Sequence, residues 1–176
     1  MAELIARTPC AGLLPRTAGR TEITEAEWTP LYLIAPFRGR EEDVAQALGL
    51  GWPAPDRSTT DGARRAVWTG PGQALVSGDL PDLPHCAVTD QSDAFAVVRL
   101  AGPEAEAVLA RLVPIDLRAA AFPPGASART LLGHMTATVI REDGGAFTLM
   151  VFRSMAGTLV HELVRAAEGV ETRRRA

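Results

Sequence analysis

Asp116 is a candidate for acid–base work by its type and setting. It lies between Ile115 and Leu117, just past a predicted helix end. A carboxylate flanked by apolar residues loses part of its hydration, which disfavours the charged form and raises the pKa. The same position also suits a turn cap after Pro114, because an Asp side chain accepts backbone N–H groups two residues on. His134, beside Met135 in a predicted strand, is either a base or a satisfied structural histidine. Arg129 and Arg153 stand at the ends of apolar strands. Their guanidinium forks fit a carboxylate of this chain or of a partner, or a plain surface ion pair. His85 and Cys86 are adjacent, but no second Cys or His follows at metal-ligand spacing, so no metal site is expected. GxSxG and HExxH are absent. Gly70-Pro71-Gly72 does not cradle phosphate, since Pro71 lacks an N–H and no helix opens there.

Composition removes further chemistry. All 18 basic residues are Arg. A chain without Lys has no P-loop and forms no Schiff base. A chain without Asn has no N-glycosylation acceptor. The net charge of -3 gives no electrostatic footprint for nucleic acid. Cys10 and Cys86, outside any CxxC, fit a reduced cytoplasm rather than a disulfide framework. Neither a signal-peptide core nor a bilayer-spanning apolar run is seen.

The elements that would position these residues follow from periodicity and punctuation. Residues 1–28, with scattered Pro, Gly and mixed charge, read as an extended arm. Residues 29–35 (TPLYLIA) form a strand. Residues 40–48 form a short helix with Val44, Ala45 and Leu48 on one face, stopped by Gly49. Residues 65–69 and 73–77 flank Gly70-Pro71-Gly72 as a hairpin. Residues 78–86 are a connection, and Asp90, Ser92 and Asp93 are turn formers. The order then repeats. Residues 94–100 are a strand, and Gly102-Pro103 leads into a helix whose buried stripe is Ala105, Val108, Leu109 and Leu112. Residues 130–140 read as one long strand, Glu142-Asp143-Gly144-Gly145 as a turn, and residues 146–152 as the returning strand. Ser154 is a candidate N-cap for a helix over residues 155–167 carrying Ala156, Leu159, Val160 and Leu163 on one face, with Gly169 as its stop. The expected fold is α+β, a duplicated β-α-β-β unit over residues 29–88 and 89–168, with a tail at residues 169–176 frayed at its three arginines.

Several strings in the second half carry a resemblance. Thr89-Asp90-Gln91-Ser92 precedes the strand FAVVRL and Gly102-Pro103. Pro114-Ile115-Asp116-Leu117, Phe122-Pro123, Gly125, Arg129-Thr130-Leu131-Leu132-Gly133-His134 and Val151-Phe152-Arg153-Ser154 follow in order. With Trp68-Thr69-Gly70-Pro71 and Ala74-Leu75-Val76 upstream, the set resembles the gamma subunit of heterotetrameric sarcosine oxidase. That family is similar in turn to the folate-binding domain of glycine-cleavage aminomethyltransferase.

The resemblance implies a duplicated α+β fold and a non-catalytic subunit of a complex that oxidises sarcosine to glycine. There the one-carbon unit goes to tetrahydrofolate or is released as formaldehyde, with hydrogen peroxide as a further product. It implies no cofactor on this chain. FAD, FMN, NAD and tetrahydrofolate would sit on partner subunits: the larger flavoprotein alpha and beta chains, beside a small delta chain. Asp116 falls where the aminomethyltransferases carry a functional aspartate in an Asn-Asp pair. Ile115 replaces the Asn, so Asp116 is read as a vestigial folate-site position. Arg129 and Arg153 are the candidate partner contacts. A free-standing folate-binding one-carbon transfer protein is the alternative. A folate protein of iron-sulfur assembly is disfavoured, because its Lys-Gly-Cys motif needs a Lys.

Overall fold

A computed structural model describes residues 5–175. Residues 1–4 of the predicted arm and residue 176 of the predicted tail lie outside them. The strands are β1 (Arg16–Ala18), β2 (Thr21–Glu25), β3 (Leu31–Pro36), β4 (Ser58–Thr60), β5 (Arg65–Gly70), β6 (Gln73–Ser77), β7 (Cys86–Asp90), β8 (Phe95–Ala101), β9 (Ser127–Leu132), β10 (Met135–Arg141) and β11 (Phe147–Phe152). The helices are α1 (Glu41–Leu48), α2 (Ala105–Leu109) and α3 (Ala156–Arg175).

Side-chain alternation along the strands sorts the apolar residues into three layers. Ile34, Ala66 and Val76 face outward and pack with Val44 and Leu48 of α1. Leu31, Val67 and Leu75 face the opposite way and meet Ile140 and Met150 of the other sheet. Val98, Leu100, Val139, Leu149 and Phe147 face away from that contact and pack under α2 and α3. The result is helix, sheet, sheet, helix: two antiparallel sheets face to face, each covered on its outer side. This is the α+β duplication expected from the sequence.

Each unit carries one strand more than the sequence pattern indicates. The first runs β3-α1-β4-β5-β6 and the second β8-α2-β9-β10-β11. Their sheet orders match, β4-β5-β6-β3 against β9-β10-β11-β8. The predicted strand over residues 130–140 is a hairpin, broken at Gly133 in the left-handed region (φ +57), with His134 exposed in the turn rather than in a strand.

The leading strands are exchanged. β2, just before the first unit, pairs with β8 of the second, and β7, just before the second unit, pairs with β3 of the first. The exchange is sealed alike on both sides: Ala26 N–H donates to Val97 O, and Gln91 N–H donates to Leu31 O. Residues 16–25 therefore belong to the six-stranded sheet, with Thr21 and Ile23 fully buried, instead of lying in an extended arm. Leu13 and Leu14 pack on the same core, and Cys10 is buried in it. Thr-Glu-Ile-Thr-Glu has one strong apolar residue, too few for a clear strand signature, yet the exposed edge of β8 supplies the ladder it completes.

α3 also departs from expectation. A short 3-10 turn over Arg153–Met155 leads into it, so Ser154 is not its N-cap. The helix runs through Gly169 to Arg175. Val170 packs on the core, and Glu171 is buried and paired with Arg174 and Arg175. Those contacts outweigh the roughly 1 kcal/mol a helical Gly costs. Cations in the last turn also favour the helix dipole.

Candidate functional site

Asp116 is exposed, and Arg118 occupies it. The Arg118 backbone N–H donates to Oδ1 (3.0 Å), and Arg118 Nε donates to Oδ1 (2.9 Å) and Oδ2 (3.0 Å). The side-chain hydrogen bonds from Arg118, then the backbone one, pull the carboxyl down to about 2. The raised pKa considered from its apolar neighbours does not occur. Ile115 and Leu117 turn inward while Asp116 turns out to cap the turn after Pro114, as the second sequence reading had it. A carboxylate held that low carries no proton to donate at neutral pH and is a weak base, and its oxygens are already engaged by Arg118.

Arg153, half-buried at the head of α3, donates to Arg7 O and lies 3.4 Å from Asp93 Oδ1. It ties the N-terminal segment to the second unit. Arg129, on the edge strand β9, is exposed and lines a groove between the two sheets. The structure does not bring Asp116, Arg129 and Arg153 into one set of mutual contacts. The histidines, His85, His134 and His161, are all exposed. Among the described residues no cluster of His, Cys, Asp or Glu is placed to hold a metal. Both cysteines are free, and burial first, then the charge of Glu25, pushes the Cys10 thiol up to about 11.

The polar arrangement that sequence reasoning missed lies between the sheets. Arg65 of β5 forms a bidentate pair with Glu142, which follows β10; its second contact, Nη2 to Oε2, is 2.7 Å. Thr148 Oγ1 donates to Glu142 Oε1 at 2.6 Å. Burial raises the Glu142 pKa, but the hydrogen bonds of Arg65 and Thr148 and the charges of Arg65 and Arg99 lower it further, and the net direction is down. This clasp lines a cavity of about 240 Å³ whose walls are Leu31, Val67, Phe95, Val97 and Ile140 and whose rim includes Glu25, Glu27 and Trp28. The partners are 77 residues apart, in different units, so no local spacing betrays them.

Glu142→Gln should cost about 1.5 kcal/mol at pH 7, the range for hydrogen bonds to a charged group. A carboxylate whose folded pKa is depressed stabilises above its unfolded value of 4.5 and loses that contribution as pH falls through the folded value. The difference between wild type and variant, read from urea midpoints, should therefore vanish on acidification below pH 4.5. A difference that persists unchanged in acid would contradict the clasp.

No family model and no curated protein matches the chain. Solved structures do. A chain of the heterotetrameric sarcosine oxidase from Corynebacterium sp. U-96, in complex with pyrrole 2-carboxylate, superposes with a TM-score of 0.84 at 22% identity, covering 94% of this chain and 96% of that one. The two chains share one fold. Aminomethyltransferase T of the glycine cleavage system from Bartonella henselae superposes with a TM-score of 0.58 at 12% identity. That match covers 84% of this chain but only 46% of the transferase. The likeness to both agrees with the resemblance carried by the sequence strings. Among the described residues, no helix is long and apolar enough to cross a membrane.

Proposed function

We propose that the chain is the non-catalytic, gamma-type subunit of a heterotetrameric sarcosine oxidase. The observation that carries this reading is the near end-to-end superposition on a chain of such a complex, at 94% and 96% coverage. The transferase likeness spans under half of that enzyme. Asp116, the vestigial folate-site position of the resemblance, supports the reading too, since Arg118 engages both of its carboxylate oxygens. In this assignment the complex oxidises sarcosine to glycine, passes the one-carbon unit to tetrahydrofolate or releases formaldehyde, and forms hydrogen peroxide. FAD, FMN, NAD and tetrahydrofolate sit on the flavoprotein alpha and beta subunits, with a small delta subunit completing the assembly. The site of action is the cytoplasm.

The purified chain alone tests this. It should be colourless above 350 nm, inert toward sarcosine, and give no heat on titration with tetrahydrofolate. Tetrahydrofolate binding would instead favour the free-standing one-carbon transfer protein. Sarcosine turnover by the isolated chain would overturn the subunit reading.

A further inference from the structure

A groove of about 170 Å³ opens where the six-stranded sheet runs past the five-stranded one. Its floor is apolar: Leu33, Leu75, Phe95 and Met150. Phe152, at its mouth, stacks on Phe95 with ring centroids 5.6 Å apart and stays 50% exposed. Leu131, opposite Thr136 on the same sheet face, is 52% exposed, and Met155, just beyond Phe152, is 40% exposed. Exposed large apolar side chains gathered round a concave floor mark an interaction surface rather than the scattered exposure found on any protein.

Two polar features say what fits there. Arg129 is the one charged residue among those lining the groove, and among the described residues it makes no ion pair. The chain itself is net negative, so this is a local cation on an acidic protein. Thr69, also in the lining, has a buried hydroxyl with no hydrogen-bond partner. A buried unpaired hydroxyl costs roughly 1–3 kcal/mol until something satisfies it. An apolar floor, an unpaired guanidinium and an unsatisfied hydroxyl together fit a protein segment with one large apolar anchor and a neighbouring Asp or Glu. Such an anchor in a pocket beside a charge-assisted pair is how interface hot spots are built.

We infer that the groove between Phe152, Leu131 and Arg129 is the docking site for an apolar-acidic segment of a larger partner subunit. The inference rests on the subunit reading above and adds where the contact is made. Arg129 is exposed and, among the described residues, unpaired, so Arg129→Glu should fold with an unchanged thermal midpoint, whereas Phe152→Ser gives up the stack on Phe95 and should fold with a midpoint lowered by a few degrees. The experiment co-expresses wild type and each variant with the flavoprotein alpha and beta chains and measures the affinity of the purified components by calorimetry. Each variant is expected to weaken association at least tenfold, and Arg129→Gln by less than Arg129→Glu. A photo-crosslinker at position 131 should join a partner peptide containing Asp or Glu beside a large apolar residue. If wild type and both variants bind equally, the groove is not the contact and the subunit reading stands. If wild type does not bind at all, both fall. A homodimer of the isolated chain that Phe152→Ser dissolves would assign the groove to a second copy and overturn the inference.

Discussion

Gly102→Ala should destabilise the protein by about 4 kcal/mol, lowering the thermal midpoint by roughly 10 °C for a chain of this size. Gly102 follows β8 with φ +111, a conformation that side chains rarely adopt. A Cβ there would lie 2.2 Å from the backbone carbonyl oxygen of Arg20 and 3.3 Å from Thr21 Cα. No rotamer change relieves a clash with backbone. The Arg20-Thr21 corner must move, and with it β2, whose Glu22 is paired with Ala101. The strand displaced is one of the exchanged pair, and Ile23, now fully buried, would open to water. Gly144→Ala is the control: its φ is +71 but nothing stands within 4 Å of a Cβ, so only conformational strain of about 1 kcal/mol applies. Urea unfolding of the two variants measures the difference. Equal losses would show that β2 does not bear on Gly102 as described.

Arg141→Met should cost about 2 kcal/mol, in the range for losing hydrogen bonds to a charged group. Arg141, at the end of β10, is 8% exposed. Its Nη1 and Nη2 each lie 3.0 Å from Glu106 Oε2 on α2, and Nη1 also donates to Leu117 O. Its guanidinium carbon sits 5.1 Å above the centre of the Phe147 ring. One side chain thus fastens α2, the loop beyond it and the six-stranded sheet. Met keeps much of the stem volume but leaves the Leu117 carbonyl and a half-exposed Glu106 without their donor. Denaturant midpoints measure the loss, and amide exchange locates it: exchange should rise first in residues 105–118. A loss below 1 kcal/mol would show that water replaces the guanidinium at little cost.

The parts of the fold legible in the sequence are those where local pattern and tertiary packing agree. Val44 and Leu48 of α1 are buried and Gly49 takes the left-handed C-cap, as spacing and punctuation required. Ala105, Val108 and Leu109 of α2 and Ala156, Leu159, Val160 and Leu163 of α3 are buried as their periodicity indicated. The hairpin around Gly70-Pro71-Gly72 is in place, with Trp68 opposite Ala74.

What escaped detection depends on partners far away in the chain. β7 is not expected as a strand from the sequence, since Cys86 falls in the predicted connection and Asp90 among the turn formers; four of its five residues are exposed, and its ladder to β3 makes it a strand. β4 is three residues long and is held through Arg57 and Ser58 against Gly125 and Ala126 at a corner between the sheets. The hairpin of β9 and β10 hid in one apolar run, although a single Gly inside such a run is a signal for a turn. The same holds for the site. Asp116 announced itself by its neighbours and proved to be a turn cap, whereas Arg65 and Glu142 show no motif because the sheets bring them together.

In the proposed reading this chain contributes structure and contacts while its companions contribute the redox groups. Native mass spectrometry of the chain co-expressed with the flavoprotein and delta subunits tests it most directly. The account predicts one assembly holding a single copy of this chain with each of the other three subunits, its flavins retained when this chain is released in the gas phase. An assembly of normal flavin content that forms without this chain and leaves it free would contradict the account.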